Sequence, residues 1–504
     1  MKSFFKTLPP IHPMLFAILP VLYLYCRNIQ QLPLEIILAP MAVLLLSTLL
    51  LWFLGKKLIE NEDKLAIYIS AFWLWFFVYN PVRLMVAYDV WGHQFYRHRY
   101  FIGIWLAVLL SIFFVIFRLK YNFKKIGKLL TIFCLAFLVL QVSTAVRRFS
   151  VHSLVFSGSS KYLQEIPTSK VAVQVSPLPS VFYIILDSYA GEKELKFILG
   201  FDNSEFLNYL AGKGFYIAHN SHCNYSWTAL SMSSTLNMQY LPMEQSKNDK
   251  GTFELNPDIP LYLRLINNNQ VMKFFKSIGY HIINLTPMNI RGIYYRDSYL
   301  NSFNMELLKM TILSRPLIEN YMEGMLNRNE VKNQLKDLEN VPKMTGPTFA
   351  YAHFLIPHPP YVFSRDGRKP PFSSMALQIG PEKNLYIDQL VFANEAITKV
   401  IEKILYESKT PPIIIIQGDH GAPRLVSDDN KNRELRMSIL NAYYIPNNVK
   451  LFLYETITPV NTFRIILNIY FGQNLPLLED KSYFVPTLEY KDVIEMDQTN
   501  GSQN

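Results

Sequence analysis

Residues 411–421 read PPIIIIQGDHG: two prolines, an unbroken apolar run, then a carboxylate and an imidazole side by side between glycines. An apolar run without polar alternation is a strand buried on both faces, the pattern of a parallel sheet covered by helices. The pattern recurs at residues 181–186, 278–285 and 348–355, and helical stretches at 386–407 and 460–471 lie among these runs. Strands alternating with helices predict an α/β domain with a mostly parallel central sheet. Ligands of such sheets bind at the carboxyl ends of the strands, and Asp187 and the Asp419-His420 pair both fall there.

Ahead of this domain the composition changes. The whole chain of 504 residues is 50% hydrophobic and 17% charged, with a net charge of +10. That is too apolar for disorder and poorer in charge than most soluble domains. The first 150 residues hold 16 Lys and Arg against 5 Asp and Glu; the other 354 hold 33 against 34. The basic excess therefore belongs to the N-terminal third, and a nucleic-acid partner has no electrostatic support.

Five apolar runs fill that third: 14–26, 36–54, 65–79, 101–117 and 129–146. Three of them carry no charge and approach the length that spans hydrocarbon, whereas 65–79 is shorter and 14–26 contains Pro20. No small-x-small cleavage site follows the first run, so it reads as a span rather than a signal peptide. With the N-terminus inside, ten basic residues fall in cytoplasmic loops and six opposite, which favours that orientation. Five spans then place everything after Arg148 outside the cytoplasm. The expected organisation is a five-helix transmembrane bundle (1–148), a small-residue connector (149–179), an exported α/β domain (180–496) and a polar tail (497–504). The exported part holds one cysteine, Cys223, and so cannot form an internal disulfide; this suits a bacterial cell membrane with the domain on its periplasmic or extracellular side.

Four motifs carry chemistry. Asp187, in IILDSYA, is a carboxylate just past a buried strand, a position also taken by helix caps. In GDHG, Asp419 and His420 can both reach one divalent cation, and the flanking glycines permit a sharp turn. Thr228 opens the small-residue stretch TALSMSSTL; a helix start there would offer amide N–H groups to an anion or alkoxide, although Thr at a helix start is more often a cap. The segment HFLIPHPPY ends a strand in a proline-fixed loop. His358 on that loop is the better catalytic candidate, while His353 on the strand is either a hydrogen-bonded core histidine or a substrate contact.

Taken together, these stretches resemble the alkaline phosphatase superfamily, and within it the membrane-anchored, sulfatase-like branch of lipoteichoic acid synthases and lipid A phosphoethanolamine transferases. The resemblance implies five spans followed by an exported sulfatase-like domain. It implies one divalent metal ion, Zn²⁺ or Mn²⁺, on Asp187, Thr228, Asp419 and His420, with Thr228 also the nucleophile. His358 would assist at the phosphoryl group, and Arg424, in DHGAPR, would contact an anion unless it is a surface arginine. The implied reaction moves a substituted phosphate from a phospholipid donor to a glycan or glycolipid acceptor through a phospho-Thr intermediate. Hydrolysis at the same site, or a non-catalytic platform, are the rival expectations.

The sequence also departs from that branch. Asp187 stands where its members usually carry Glu, and Cys223 has no partner. No histidine follows His420, which disfavours a two-zinc phosphomonoesterase. No Cys/Ser-x-Pro-x-Arg motif surrounds Cys223 or Ser226, so a sulfatase name would describe the fold and not the reaction.

Overall fold

The computed structural model describes residues 10–29, 34–89, 98–119, 121–156, 163, 177–245, 251–256, 259–286, 296–313, 316–371, 382–446, 452–487 and 489–496. Most of the connector and the whole tail expected at 497–504 lie outside the described residues. The chain forms two compact units: residues 1–157 with 296–323, and residues 158–295 with 324–504.

The first unit is helical. Its helices are α1 (Ile11–Arg27), α2 (Leu38–Gly55), α3 (Glu62–Asp89), α4 (His98–Arg118) and α5 (Phe123–Phe156), all from the N-terminal third. Among the described residues four stretches are long and apolar enough to cross a membrane: Leu34–Gly55, Glu62–Arg83, Phe101–Arg118 and Phe123–Arg147. The fifth, α1, has 17 residues and is the shorter apolar helix of the set. Its Ala17 and Val21 are buried with Trp52, Leu65, Trp73 and Phe77, so α1 packs inside the bundle against its neighbours. Helix α5 runs on to Phe156, into the range expected for the connector.

A helix from far along the chain completes this unit. Arg296–Lys309 places Phe303 and Leu307 in the bundle core. Asn80 Nδ2 donates to the Lys309 carbonyl at 2.6 Å and the Ile312 amide to the Phe76 carbonyl at 3.0 Å. The stretch 296–323, inside the 180–496 range expected for the α/β domain, thus clusters with the membrane helices instead. Its sequence mixes polar and apolar residues about evenly, with no continuous apolar run of span length, so nothing in its composition announces that placement.

The second unit is built on a six-stranded sheet. In chain order its strands are β1 (Val181–Leu186), β2 (Tyr216–Ile217), β3 (His281–Leu285), β4 (Thr348–Phe354), β5 (Ile413–Gly418) and β6 (Asn441–Tyr444). Their spatial order is β2-β6-β5-β1-β4-β3. The four strands from β5 to β3 are parallel, and β6 and β2 add an antiparallel edge. The mostly parallel sheet expected from the apolar runs is what forms. Strand β3 starts at His281 rather than 278, because Gln270–Ser277 is helical and Ile278 caps it.

Register brings the motifs together. Leu186 lies level with Phe354 on β4 and with Gly418 on β5, so Asp187 and Asp419 leave the sheet side by side. Ile185 lies level with His353, and side chains at i and i+2 share a face, so His353 and Asp187 point the same way. That face also carries Tyr183, Tyr351 and Ile415, which pack in the core with Phe463 and Ile466 of the helix Pro459–Phe471. The Phe463 ring meets Tyr183 edge-on at 4.9 Å and lies 5.9 Å from Phe349. It is fully buried, so Phe463→Ala should cost about 3–5 kcal/mol, read as a lowered Tm of the full-length protein with Asp187, Asp419 and His420 untouched.

Candidate metal centre and nucleophile

Three segments converge beyond the ends of β1, β4 and β5. Asp187 is held where β1 ends: its amide donates to the Phe354 carbonyl at 3.0 Å. Ser188 then turns the chain at φ 67°, a left-handed conformation unusual for a residue with a side chain. The turn aims the Ser188 amide at Asp419 Oδ1 (3.1 Å) and the Ser188 hydroxyl at Asp187 Oδ1 (3.1 Å). Tyr386, on the helix Glu382–Glu407, donates its hydroxyl proton to the Ser188 carbonyl at 2.9 Å and fixes the turn from outside.

His353 is fully buried and settles between two partners. A carboxylate only accepts, so Nε2–H donates to Asp187 Oδ2 at 3.2 Å and Nδ1 accepts from the Tyr351 hydroxyl at 3.2 Å. Asp187, His353 and Asp419 each bring one ligand atom within 4.8 Å of the others.

His420 carries the next part. Its Nε2 lies 3.2 Å from Arg436 Nη2, and a guanidinium can only donate. Nε2 therefore bears the lone pair and Nδ1 the proton, which points at the Gly421 carbonyl 3.0 Å away. Burial first, and Arg436 next, push the imidazole down to about 4, so it is neutral at neutral pH. Asp187 is the reverse case. Burial alone would raise its carboxyl, but His358, His353 and His420 together hold it below the usual carboxylate range.

The outcome is a cluster of acceptor atoms facing one another. His420 Nε2 is 3.4 Å from Asp419 Oδ2 and 3.9 Å from Asp187 Oδ1. Asp419 Oδ2 is buried and has no hydrogen-bond partner among the described residues. A neutral imidazole lone pair and two carboxylate oxygens in van der Waals range repel one another, and an orphaned buried carboxylate oxygen is costly. A divalent cation among them would remove both penalties, and N and O donors of this kind suit Zn²⁺ or Mn²⁺. The residues present fit such an ion.

Thr228 stands at the edge of this cluster. It is the first residue of the helix Thr228–Asn237, whose N-cap is Trp227, so the threonine is not the cap. Its hydroxyl lies 3.0 Å from His420 Nε2 instead. Two ties hold the helix there: Ser231 donates to the Asp419 carbonyl at 2.6 Å, and the Val485 amide donates to Ser226 Oγ at 2.9 Å just upstream. The small residues of TALSMSSTL let this helix bury almost completely among the helices Ile259–Asn267 and Pro459–Phe471, with Ser231, Ser233 and Ser234 at zero exposure.

His358 sits on the loop after β4, half-buried, with its amide donating to the Asp187 carbonyl at 3.1 Å. Its Nδ1 is turned to the Pro359 carbonyl, which leaves Nε2 free of that bond. Gln389 pins the loop by donating to the His358 carbonyl and accepting from the Val362 amide. Arg424 is not brought to the cluster: it is exposed and pairs with Asp429 at 3.0 Å. The arginine that is brought there is Arg436, on the helix Asp429–Met437. Sequence reasoning missed it because it sits in the polar stretch DNKNRELRM; the one available signal was its place between the apolar residues Leu435 and Met437.

The Sulfatase family model matches residues 179–444. No curated protein matches the chain. Among solved structures, the zinc complex of the C-terminal periplasmic domain of EcEptC from Escherichia coli is 13% identical, covering 66% of this chain and 97% of that one, with a TM-score of 0.42. The integral membrane lipooligosaccharide phosphoethanolamine transferase A from Neisseria meningitidis is 11% identical, covering 90% and 95%, with a TM-score of 0.37. A sulfatase-like protein from Bacteroides thetaiotaomicron is 14% identical, covering 59% and 72%, with a TM-score of 0.34.

Two measurements probe the cluster. Asp419→Asn should lower divalent-cation affinity at least about 100-fold in calorimetric titration, because it removes the one oxygen without another partner. Gly421→Ala should abolish folding, since a Cβ there would come 1.9 Å from the Leu435 carbonyl oxygen and 2.4 Å from that of Ser438; a soluble variant with a native Tm would contradict it.

Proposed function

The chain belongs to the sulfatase family of enzymes, and from that premise we propose that it is a membrane-anchored, metal-dependent transferase. It would move a substituted phosphate, of the phosphoglycerol or phosphoethanolamine type, from a phospholipid to an envelope glycan or glycolipid. The observation that carries this reading is the Thr228 hydroxyl, 3.0 Å from His420 Nε2 at the rim of the Asp187, Asp419 and His420 acceptor cluster. A hydroxyl in this position is a nucleophile of the phosphoryl-transfer kind. The aldehyde chemistry of sulfatases needs a Cys or Ser in a motif this chain lacks.

Each residue then has a task. Asp187, Asp419 and His420, with Thr228 Oγ1 beside them, would hold one divalent ion. When bound, that ion would supply positive charge that favours the ionised form of the hydroxyl, whose proton is lost to solvent. His353 keeps Asp187 oriented through the Nε2–H bond. The Thr228 oxygen attacks phosphorus as the bond to the diacylglycerol oxygen breaks, and that oxygen takes up a proton, with His358 as the donor. The result is a phosphodiester on Thr228 and free diacylglycerol. In the second half an acceptor hydroxyl attacks the same phosphorus, its proton returns to His358, and Thr228 is released. The amides of the first helical turn and the helix dipole stabilise charge on the phosphoryl oxygens.

The lipid donor is supported by four helices long and apolar enough to cross a membrane, carried on the same chain with the shorter apolar helix α1. Counted as five crossings with the basic loops inside, they would put the catalytic unit on the outer face of a bacterial cell membrane.

Incubation of the purified full-length protein with a radiolabelled phospholipid tests the reaction. Mass spectrometry should find an adduct on Thr228 whose added mass equals the head-group phosphate less one water, and added glycan should discharge it. Thr228→Ala should lose at least about 1,000-fold in turnover with an unchanged Tm. Free head-group phosphate and diacylglycerol with no labelled glycan would make the enzyme a hydrolase, and full activity in Thr228→Ala would overturn the nucleophile assignment. Chelation should remove activity, and Zn²⁺ or Mn²⁺ should restore it.

A further inference from the structure

Arg436 is the one feature of the site that the proposed reaction leaves without a task. Its guanidinium is clamped on two sides: Nε donates to the Ser226 carbonyl at 2.8 Å, and the group lies over the Trp227 ring, 5.5 Å from its centre. Its Nη2 donates to His420 Nε2 at 3.2 Å. That atom is also the lone pair which a cation between Asp187, Asp419 and His420 would need. Nη1 has no hydrogen-bond partner among the described residues. A half-buried guanidinium with one nitrogen unengaged, beside a hydroxyl at a helix start, offers a planar two-point donor for a tetrahedral oxyanion.

Two further facts bear on its position. No histidine follows His420, so the chain supplies no late imidazole for a second metal, and a fixed positive charge at Arg436 repels one. The Arg436 helix is itself anchored to the metal loop, since the Gly421 amide donates to the Arg436 carbonyl at 2.8 Å and the Ala422 amide to that of Leu435 at 3.0 Å.

Resting on the metal-dependent reading above, we infer that Arg436 is the oxyanion-binding residue of this site, exchanging His420 Nε2 for two oxygens of the bound group when a cation takes that lone pair. The apo guanidinium and the cation are competitors for one atom. The same guanidinium and the cation are partners toward the anion. Arg436 thus stands in place of a second metal, and the anion it fits is a phosphate that retains two unsubstituted oxygens, as a head-group phosphodiester does.

Binding measurements on the full-length protein test this without turnover. Mn²⁺ is titrated first, then inorganic phosphate into the Mn²⁺-loaded protein, for wild type, Arg436→Met and Arg436→Lys, with the exposed Arg424→Met as control. Arg436→Met should weaken phosphate at least about tenfold and leave Mn²⁺ binding equal or up to about tenfold tighter, because a competing donor and a repelling charge are gone. Arg436→Lys keeps the charge but loses the fork, and should weaken phosphate about fivefold. It carries the test alone should Arg436→Met fail to fold. Phosphate affinity within twofold of wild type in the folded variants overturns the inference, and so does a tenfold loss of Mn²⁺ affinity, which would make Arg436 a support of the ligand set. Wild type that binds no Mn²⁺ would instead sink the metal-dependent reading itself.

Discussion

Everything at this site depends on one unfavourable arrangement: three lone-pair-bearing atoms held together where no proton separates them. Asp187 Oδ1, Asp419 Oδ2 and His420 Nε2 lie within 3.4–3.9 Å across the pairs that involve the histidine, in a region nearly closed to water. Left alone, such a set would spread apart or neutralise by protonation. It does neither, because hydrogen bonds from outside oppose both routes. Ser188 holds Asp419 and Asp187 at once, His353 holds Asp187, and Arg436 keeps the lone pair of His420 on Nε2. The repulsion is thus stored in the fold, and a cation is the group that relieves it.

The scaffold explains how that strain is tolerated. Parallel strands β1, β4 and β5 fix the positions of Asp187, His353 and Asp419 by register, and the strands are buried along their whole length. Below the acceptor cluster lies a second polar layer: Tyr183 donates to Gln417, whose amide donates to Asn441 and Thr462. A satisfied polar network at that depth stiffens the sheet end instead of weakening it. The helix that begins at Thr228 is added from the side and bonded through Ser231 to the Asp419 carbonyl, which ties the hydroxyl to the acceptor cluster.

Much of this was legible in the chain. Unbroken apolar runs marked β1, β4 and β5 within a residue or two, and the acidic and imidazole side chains at their ends were recognisable by position alone. Asp187, Thr228, Asp419 and His420 do converge, and His353 and His358 lie in contact with Asp187 through a side-chain and a backbone bond respectively. Arg424 is exposed and paired with Asp429 while Arg436 reaches His420, since sequence proximity to His420 says nothing about which way a surface loop turns. The helix 296–309 escaped notice because its buried residues, Phe303, Met305 and Leu307, are scattered among polar ones.

What the sequence determined by itself was the two-part plan and the residue types of the site. Hydrocarbon and a buried parallel sheet both demand continuous apolar stretches, and a carboxylate can follow a buried strand only where the strand emerges. What the tertiary structure alone decided was pairing. Thr228 meets His420 across 192 residues, Arg436 rather than Arg424 caps the same imidazole, and residues 296–323 join the helices instead of the sheet. Such contacts depend on strand register and on how distant loops close over one another. Neither quantity is encoded in any local run of residues, because each is set by the packing of segments that the chain itself keeps far apart.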